Sequence, residues 1–185
     1  MLRKGDGSSG KNPVAGYTKV KSLKLRQEVY KKDACKIADW LKDDDVTKFL
    51  NESHNVTDSI RQTVERVNLP VMTHLFNQNG SFFVVCTGDD EPVGFLRLVP
   101  RSSEAEMVVV IGDKNKWGKG FGTRAVEEGL RHAFFEWRVK KVIAKIHNKN
   151  KRSIHVFHKI GFKFEKDLPV EKQYALTMND YLKLA

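Results

Sequence analysis

Seven residues, Trp117-Gly118-Lys119-Gly120-Phe121-Gly122-Thr123, set three glycines at alternate positions between two segments of opposite character. Upstream, residues 107–111 form an apolar, strand-like run. Downstream, residues 123–137 repeat their apolar side chains at helical spacing, with Val126, Leu130, Ala133 or Phe134, and Trp137 on one stripe. Glycine lets a chain turn sharply and brings its N–H groups close to a ligand. A helix start adds unpaired donors and the positive end of a dipole. Strand, glycine turn and helix start together predict a cradle for a phosphate-bearing ligand. The spacing matches neither a P-loop, which needs G-x-x-x-x-G-K-[ST], nor the dinucleotide fingerprint G-x-G-x-x-G, whose last position here is Thr123.

The rest of the chain bounds what can surround this cradle. With 185 residues, 40% of them apolar, one domain with a substantial core is expected. The longest apolar runs, residues 82–86 and 107–111, are too short to cross a bilayer, so no membrane association is expected. The first residues lack the apolar stretch of a secretory signal, and Cys35 and Cys86 form no redox or metal motif. The expected setting is the cytoplasm, with both thiols reduced.

The net charge of +10 is uneven. Residues 1–32 hold nine Lys/Arg against two Asp/Glu (+7), and the remaining 153 hold 24 against 21 (+3). Residues 1–20, with four glycines and two serines, read as a flexible basic tail ahead of a single domain at 21–185. Residues 33–58 carry seven acids against three lysines, whereas residues 138–152 carry seven basic residues and no acid.

Strands are expected at 22–29, where apolar and charged residues alternate, and at 81–87, 92–99, 104–112, 141–147, 162–165 and 173–178. Helices are expected from an Asp33 cap, from a Thr57 cap, over 123–137, and over 151–160 stopped by Gly161. That order gives an α/β fold, a mixed, mostly antiparallel sheet flanked by about four helices.

This order and these residues resemble the GNAT superfamily of acyl-CoA-dependent N-acetyltransferases. Its loop pattern, Q/R-x-x-G-x-G/A, fits residues 117–122, with Trp117 departing at the first position as in the tryptophan variant of ribosomal-protein, polyamine and amino-sugar acetyltransferases. A later motif, N-x-x-S followed by an aromatic and then G-F, matches Asn150, Ser153, Phe157, Gly161 and Phe162. The resemblance implies acetyl-CoA as cosubstrate and no metal. It assigns the pyrophosphate to the backbone of Gly118, Lys119, Gly120, Phe121, Gly122 and Thr123. The pantetheine arm falls to Val110, Ile111 and Gly112, and a further contact to Asn150. Lys114, Lys116, Lys119, Arg124, Lys151 and Arg152 are charge-level candidates for the adenosine phosphates.

Acetyl transfer to an amine needs a proton acceptor, an oxyanion donor and a tolerable leaving thiolate. Glu106, eleven residues before Trp117, stands where histone-type members of the superfamily carry their strand glutamate, and is the candidate base. Glu104, on the same strand face, is its rival. A second family position for a glutamate, five residues before Asn150, holds Lys145. Backbone N–H groups near Val110 and Ile111 are expected to meet the oxyanion. The family's tyrosine acid is replaced by Phe157, leaving Ser153, His155, His158 or water.

The resemblance places the acceptor site at the acidic segment 33–58, so a cationic amine is the expected partner. Two competing readings stand beside this one: a binding protein that keeps the fold and coenzyme site with little catalysis, and an RNA-binding module. The second lacks interleaved aromatics, so nucleic acid is not the expected partner. The oligomeric state is left open, a homodimer included.

Overall fold

Residues 82–86 (Phe-Phe-Val-Val-Cys) are apolar without alternation, and such a run needs cover on both faces. The computed structural model, which describes residues 22–50 and 56–184, supplies that cover. Among the described residues, seven strands form one sheet: β1 (Leu23–Arg26), β2 (Ser81–Thr87), β3 (Pro92–Arg101), β4 (Glu104–Ile111), β5 (Lys141–His147), β6 (Lys163–Asp167) and β7 (Glu171–Thr177). Their spatial order is β1-β2-β3-β4-β5-β7-β6, and every pairing is antiparallel except β4 with β5.

On one face, Phe83, Val85, Leu96 and Met107 pack with Ala125, Val126 and Leu130 of helix α5 (Phe121–Arg131) and with Phe157 of helix α6 (Lys151–Ile160). On the other, Phe82, Val84, Phe95 and Val110 pack with Ala34 and Ile37 of helix α1 (Lys31–Trp40) and Val64 of helix α3 (Val56–Arg66). Each fully buried side chain of this size contributes about 1.5–3 kcal/mol of transfer free energy. Gly129 sits mid-helix in α5 for a packing reason. A Cβ there would stand 2.6 Å from a Leu96 methyl and 2.9 Å from the Met107 methyl, so any other residue would need these buried side chains to shift.

The structure moves several expected boundaries. α5 begins at Phe121, two residues early, because Gly120 (φ +86°) makes the turn into it, and its tail from His132 to Glu136 widens into a π-turn. α1 begins at Lys31, not at an Asp33 cap; Asp33 sits in the first turn and its Oδ2 accepts the Tyr30 N–H at 2.8 Å. In place of about four helices there are seven among the described residues. The additions are α2 (Asp44–Thr47), α4 (Thr73–Phe76) and α7 (Met178–Leu184), all short. The expected tail at 1–20 lies outside the described residues.

Asp33 and Arg26 anchor α1 to the sheet. Both are buried, at 0% and 8% exposure, and their ion pair measures 3.0 Å. Arg26 also reaches Asp90 in the β2–β3 turn at 3.2 Å.

Candidate functional site

β4 and β5 are hydrogen-bonded neighbours for three residue pairs only, Glu104 to Glu106 against Lys141 to Ile143. Beyond that β4 stays with β3, and β5 stays with β7 along its whole length. β4 continues five residues past Glu106, roughly 16 Å of strand edge without a partner strand. Gly112 N–H bonds Val93 on β3 at 2.9 Å. By the two-residue period, the backbone of Val110 turns to β3 as well, while Val109 and Ile111 turn to the open edge. The pantetheine positions expected at Val110, Ile111 and Gly112 therefore divide. Ile111 faces the opening, whereas Val110 and Gly112 bond inward, and Val109, which the sequence reading omitted, joins the edge.

The opening is the wall of a cavity of about 550 Å³. Val109 to Ile111 line one side, Gly118 and Gly120 to Thr123 the end, and Asn150 to Ser153 with Phe157 the other side. Gly118 and Gly120 both have positive φ, at +70° and +86°, the region in which a side chain is strained. They turn the chain into α5, whose first residues, Phe121 to Thr123, line the cavity with N–H groups that have no intrahelical acceptor. Asn150 caps α6, its Oδ1 accepting the Ser153 N–H at 3.2 Å.

Trp117 explains its own departure from the loop pattern. Its indole N–H donates to the Ile111 carbonyl at 2.7 Å, taking up the last acceptor of the open edge. Its ring carries the Arg152 guanidinium, 3.7 Å from the centroid, and burial lowers the pKa of that guanidinium. One side chain thus ties β4, the loop and α6 together.

Of the basic candidates, Lys116, Lys151 and Arg152 reach the cavity. Lys114 is held by Asp43 at 2.7 Å and Asp45 at 3.2 Å, and Lys119 and Arg124 do not line the cavity. Lys159 and His155 line it and were not singled out for the phosphates.

Glu106 lies at the fork where the strands part, on the α1 face, with 14% of its side chain exposed. Its Oε2 accepts from Lys145 Nζ at 2.9 Å and from Arg101 Nη2 at 3.1 Å. Its Oε1 makes no hydrogen bond to the described residues, so one lobe remains for a water or an amine. Glu104 is engaged elsewhere, bound at 2.7 Å to Lys141, which also holds Glu165 at 2.7 Å. Lys145 is the functional neighbour that sequence reading treated as a lost glutamate. The clue was in the register, because Glu106 and Lys145 fall on one face once β4 and β5 pair in parallel.

Among the candidate acids, Ser153 and His155 line the cavity. His158 lies outside it, its ring 5.0 Å from that of Tyr174. Among the described residues no three His, Cys, Asp or Glu side chains gather as a metal site, and no helix is long and apolar enough to cross a membrane.

The family model for the acetyltransferase (GNAT) domain matches residues 23–163. An uncharacterised N-acetyltransferase, p20, of Bacillus licheniformis is 26% identical over 136 residues, which is 72% of this chain and 75% of that protein. Spermidine N(1)-acetyltransferase of Escherichia coli K12 is 30% identical over 99 residues, and the match spans about half of each chain (51% and 52%). Among solved structures, spermidine N-acetyltransferase of Vibrio cholerae, in complex with CoA and spermine, superposes with a TM-score of 0.71 at 18% identity. That match covers 86% of this chain and 98% of the other. With the family model spanning most of its length and the same fold in its structural neighbours, this chain belongs to the GNAT acetyltransferase family.

Proposed function

We propose that the chain transfers an acetyl group from acetyl-CoA to a primary amine, with Glu106 accepting the amine proton. The observation that carries this reading is the fork itself. An unpaired strand edge leads from the glycine loop, the natural seat of a diphosphate, to a single carboxylate with one free oxygen. The neutral amine attacks the thioester carbonyl, the N–C bond forms, and the C–S bond breaks. The amine proton passes to Glu106, directly or through a water. That the backbone of Val109 and Ile111 turns to the open edge supports a role for their N–H groups in meeting the oxyanion. A thiol pKa of about 8.5 lets the thiolate leave near neutral pH without a dedicated acid, which suits the buried Phe157 where relatives carry tyrosine.

Kinship with spermidine acetyltransferases supports an amine acceptor. A second positive charge on that acceptor has less to hold it than the sequence suggests. Of the six described carboxylates between residues 33 and 58, Asp33, Asp39, Asp43 and Asp45 are already paired with cations of this chain.

The cations around Glu106 favour one rival, a coenzyme-binding protein with little catalysis. One experiment separates the two. Thiol release from acetyl-CoA is measured across a panel of primary amines, for wild type and Glu106→Gln. Transfer predicts turnover that falls at least about 100-fold in the variant. Acetyl-CoA binding without thiol release from any amine, or equal rates in both proteins, would reject catalysis by Glu106.

A further inference from the structure

A second cavity, of about 470 Å³, opens on the same sheet face as Glu106, between α1, α3, α4 and the β2–β3 pair. Its floor is aromatic. Phe82 stacks on Phe95 with centroids 5.3 Å apart, and Phe76 leans on Phe82 at 4.8 Å. Its walls mix aliphatic side chains, Ile37 on α1, Ile60 and Val64 on α3, and Met72, with the uncharged polar Ser59, Thr63, Gln78 and Asn79. No Asp or Glu lines it among the described residues. The Arg61–Asp39 ion pair joins the two helices that form its walls.

The sheet register connects this cavity to the fork. Arg97, at one end of the cavity, pairs with Val108, and Val99 pairs with Glu106. Paired residues project on one face, so the cavity ends roughly 7 Å, two strand residues, from the position of Glu106. A chamber of this size, with an aromatic floor, lies in the range of small-ligand sites, roughly 300–1,000 Å³. It offers an ammonium group no counter-charge among the described residues, and it offers a ring a stacked aromatic floor.

We infer that this chamber receives the body of the acceptor, and that the acceptor is a primary amine on an apolar, preferably aromatic, side group rather than a polyamine. This rests on the acetyl-transfer reading: the amine would point to Glu106 while the apolar body enters between α1 and α3.

Two measurements test it. In the first, wild type is assayed with 2-phenylethylamine and with spermidine. The aromatic amine is expected to show at least tenfold higher kcat/KM. Thr63→Phe, which narrows the chamber from its rim, should raise KM for the aromatic amine at least tenfold and leave KM for acetyl-CoA unchanged. A preference for spermidine, or an unaltered KM in Thr63→Phe, overturns the inference. The second measurement needs no turnover: methyl-labelled methionine NMR of the free protein. Saturable movement of the Met72 methyl with 2-phenylethylamine, and not with spermidine, is expected. An unmoved Met72 overturns the chamber. A moved Met72 without thiol release from any amine keeps the chamber and overturns the transferase reading.

Discussion

The two cavities are built on different principles. The proposed coenzyme cavity is made largely of backbone: an unpaired strand edge, a glycine loop in left-handed conformation and two helix starts. The chamber under α1 and α3 is made of side chains contributed by elements up to sixty residues apart. Backbone recognition suits a cofactor whose chemistry is constant. Side-chain recognition suits an acceptor that differs between members of one fold. A change that strains the loop should therefore abolish one activity without loosening the fold. A change under α1 should do the reverse.

The largest expected effect lies on the α1 side. Asp33→Ala takes one of two carboxylates from the buried Arg26 guanidinium, leaving it Asp90 at 3.2 Å, and removes the acceptor of the Tyr30 N–H, at a cost of about 3 kcal/mol. Urea denaturation should show that loss, while acetyl-CoA affinity of the folded fraction stays within twofold. A stability change below about 1 kcal/mol would mean that the pair does not anchor α1. On the other side, Gly120→Val puts a β-branched residue at φ +86°, a strain of about 1–3 kcal/mol placed at the ligand. Acetyl-CoA affinity measured by calorimetry should fall tenfold or more. Unfolding should shift by no more than that strain.

A finer probe is Trp117→Phe. The ring under Arg152 is kept and the bond to the Ile111 carbonyl is lost, a change of about 1 kcal/mol. Acetyl-CoA affinity should weaken by severalfold, and unchanged affinity would remove Trp117 from the site. The smallest effect is a dependence on pH. Hydrogen bonds from Lys114, Lys24, Lys141 and Thr177 hold Asp43, Asp90, Glu165 and Asp180 below the ordinary carboxylate range. The native state then binds fewer protons than the unfolded chain as pH falls past the ordinary values of 3.8 and 4.5. Stability is expected to hold from pH 7 to about 5 and to decline below that. A flat urea midpoint down to pH 3 would contradict those bonds.

How much of this was legible beforehand follows the same division. The strands at 81–87 and 141–147 and the helix at 151–160 stand where short apolar runs and the Gly161 stop put them, because their signals are local. The glycine loop was readable for the same reason. α2, α4 and α7 were missed because four to seven residues carry too little periodicity to register. The hold of Lys145 on Glu106 and the split between Val109 and Val110 depend on how β4 meets β5, a pairing that no stretch of sequence encodes alone. The acidic segment was legible only in part: its charge was visible, but the cations that pair with Asp33, Asp39, Asp43 and Asp45 come from Arg26, Arg61 and Lys114, outside the segment.

Calorimetric titration of acetyl-CoA into wild type and Gly120→Val tests the central claim most directly, namely that the loop amides and the open edge of β4 seat the coenzyme beside Glu106. A single saturable site in wild type, weakened at least tenfold by the substitution, is the predicted result. No saturable heat in wild type, or the same affinity in both proteins, would contradict it.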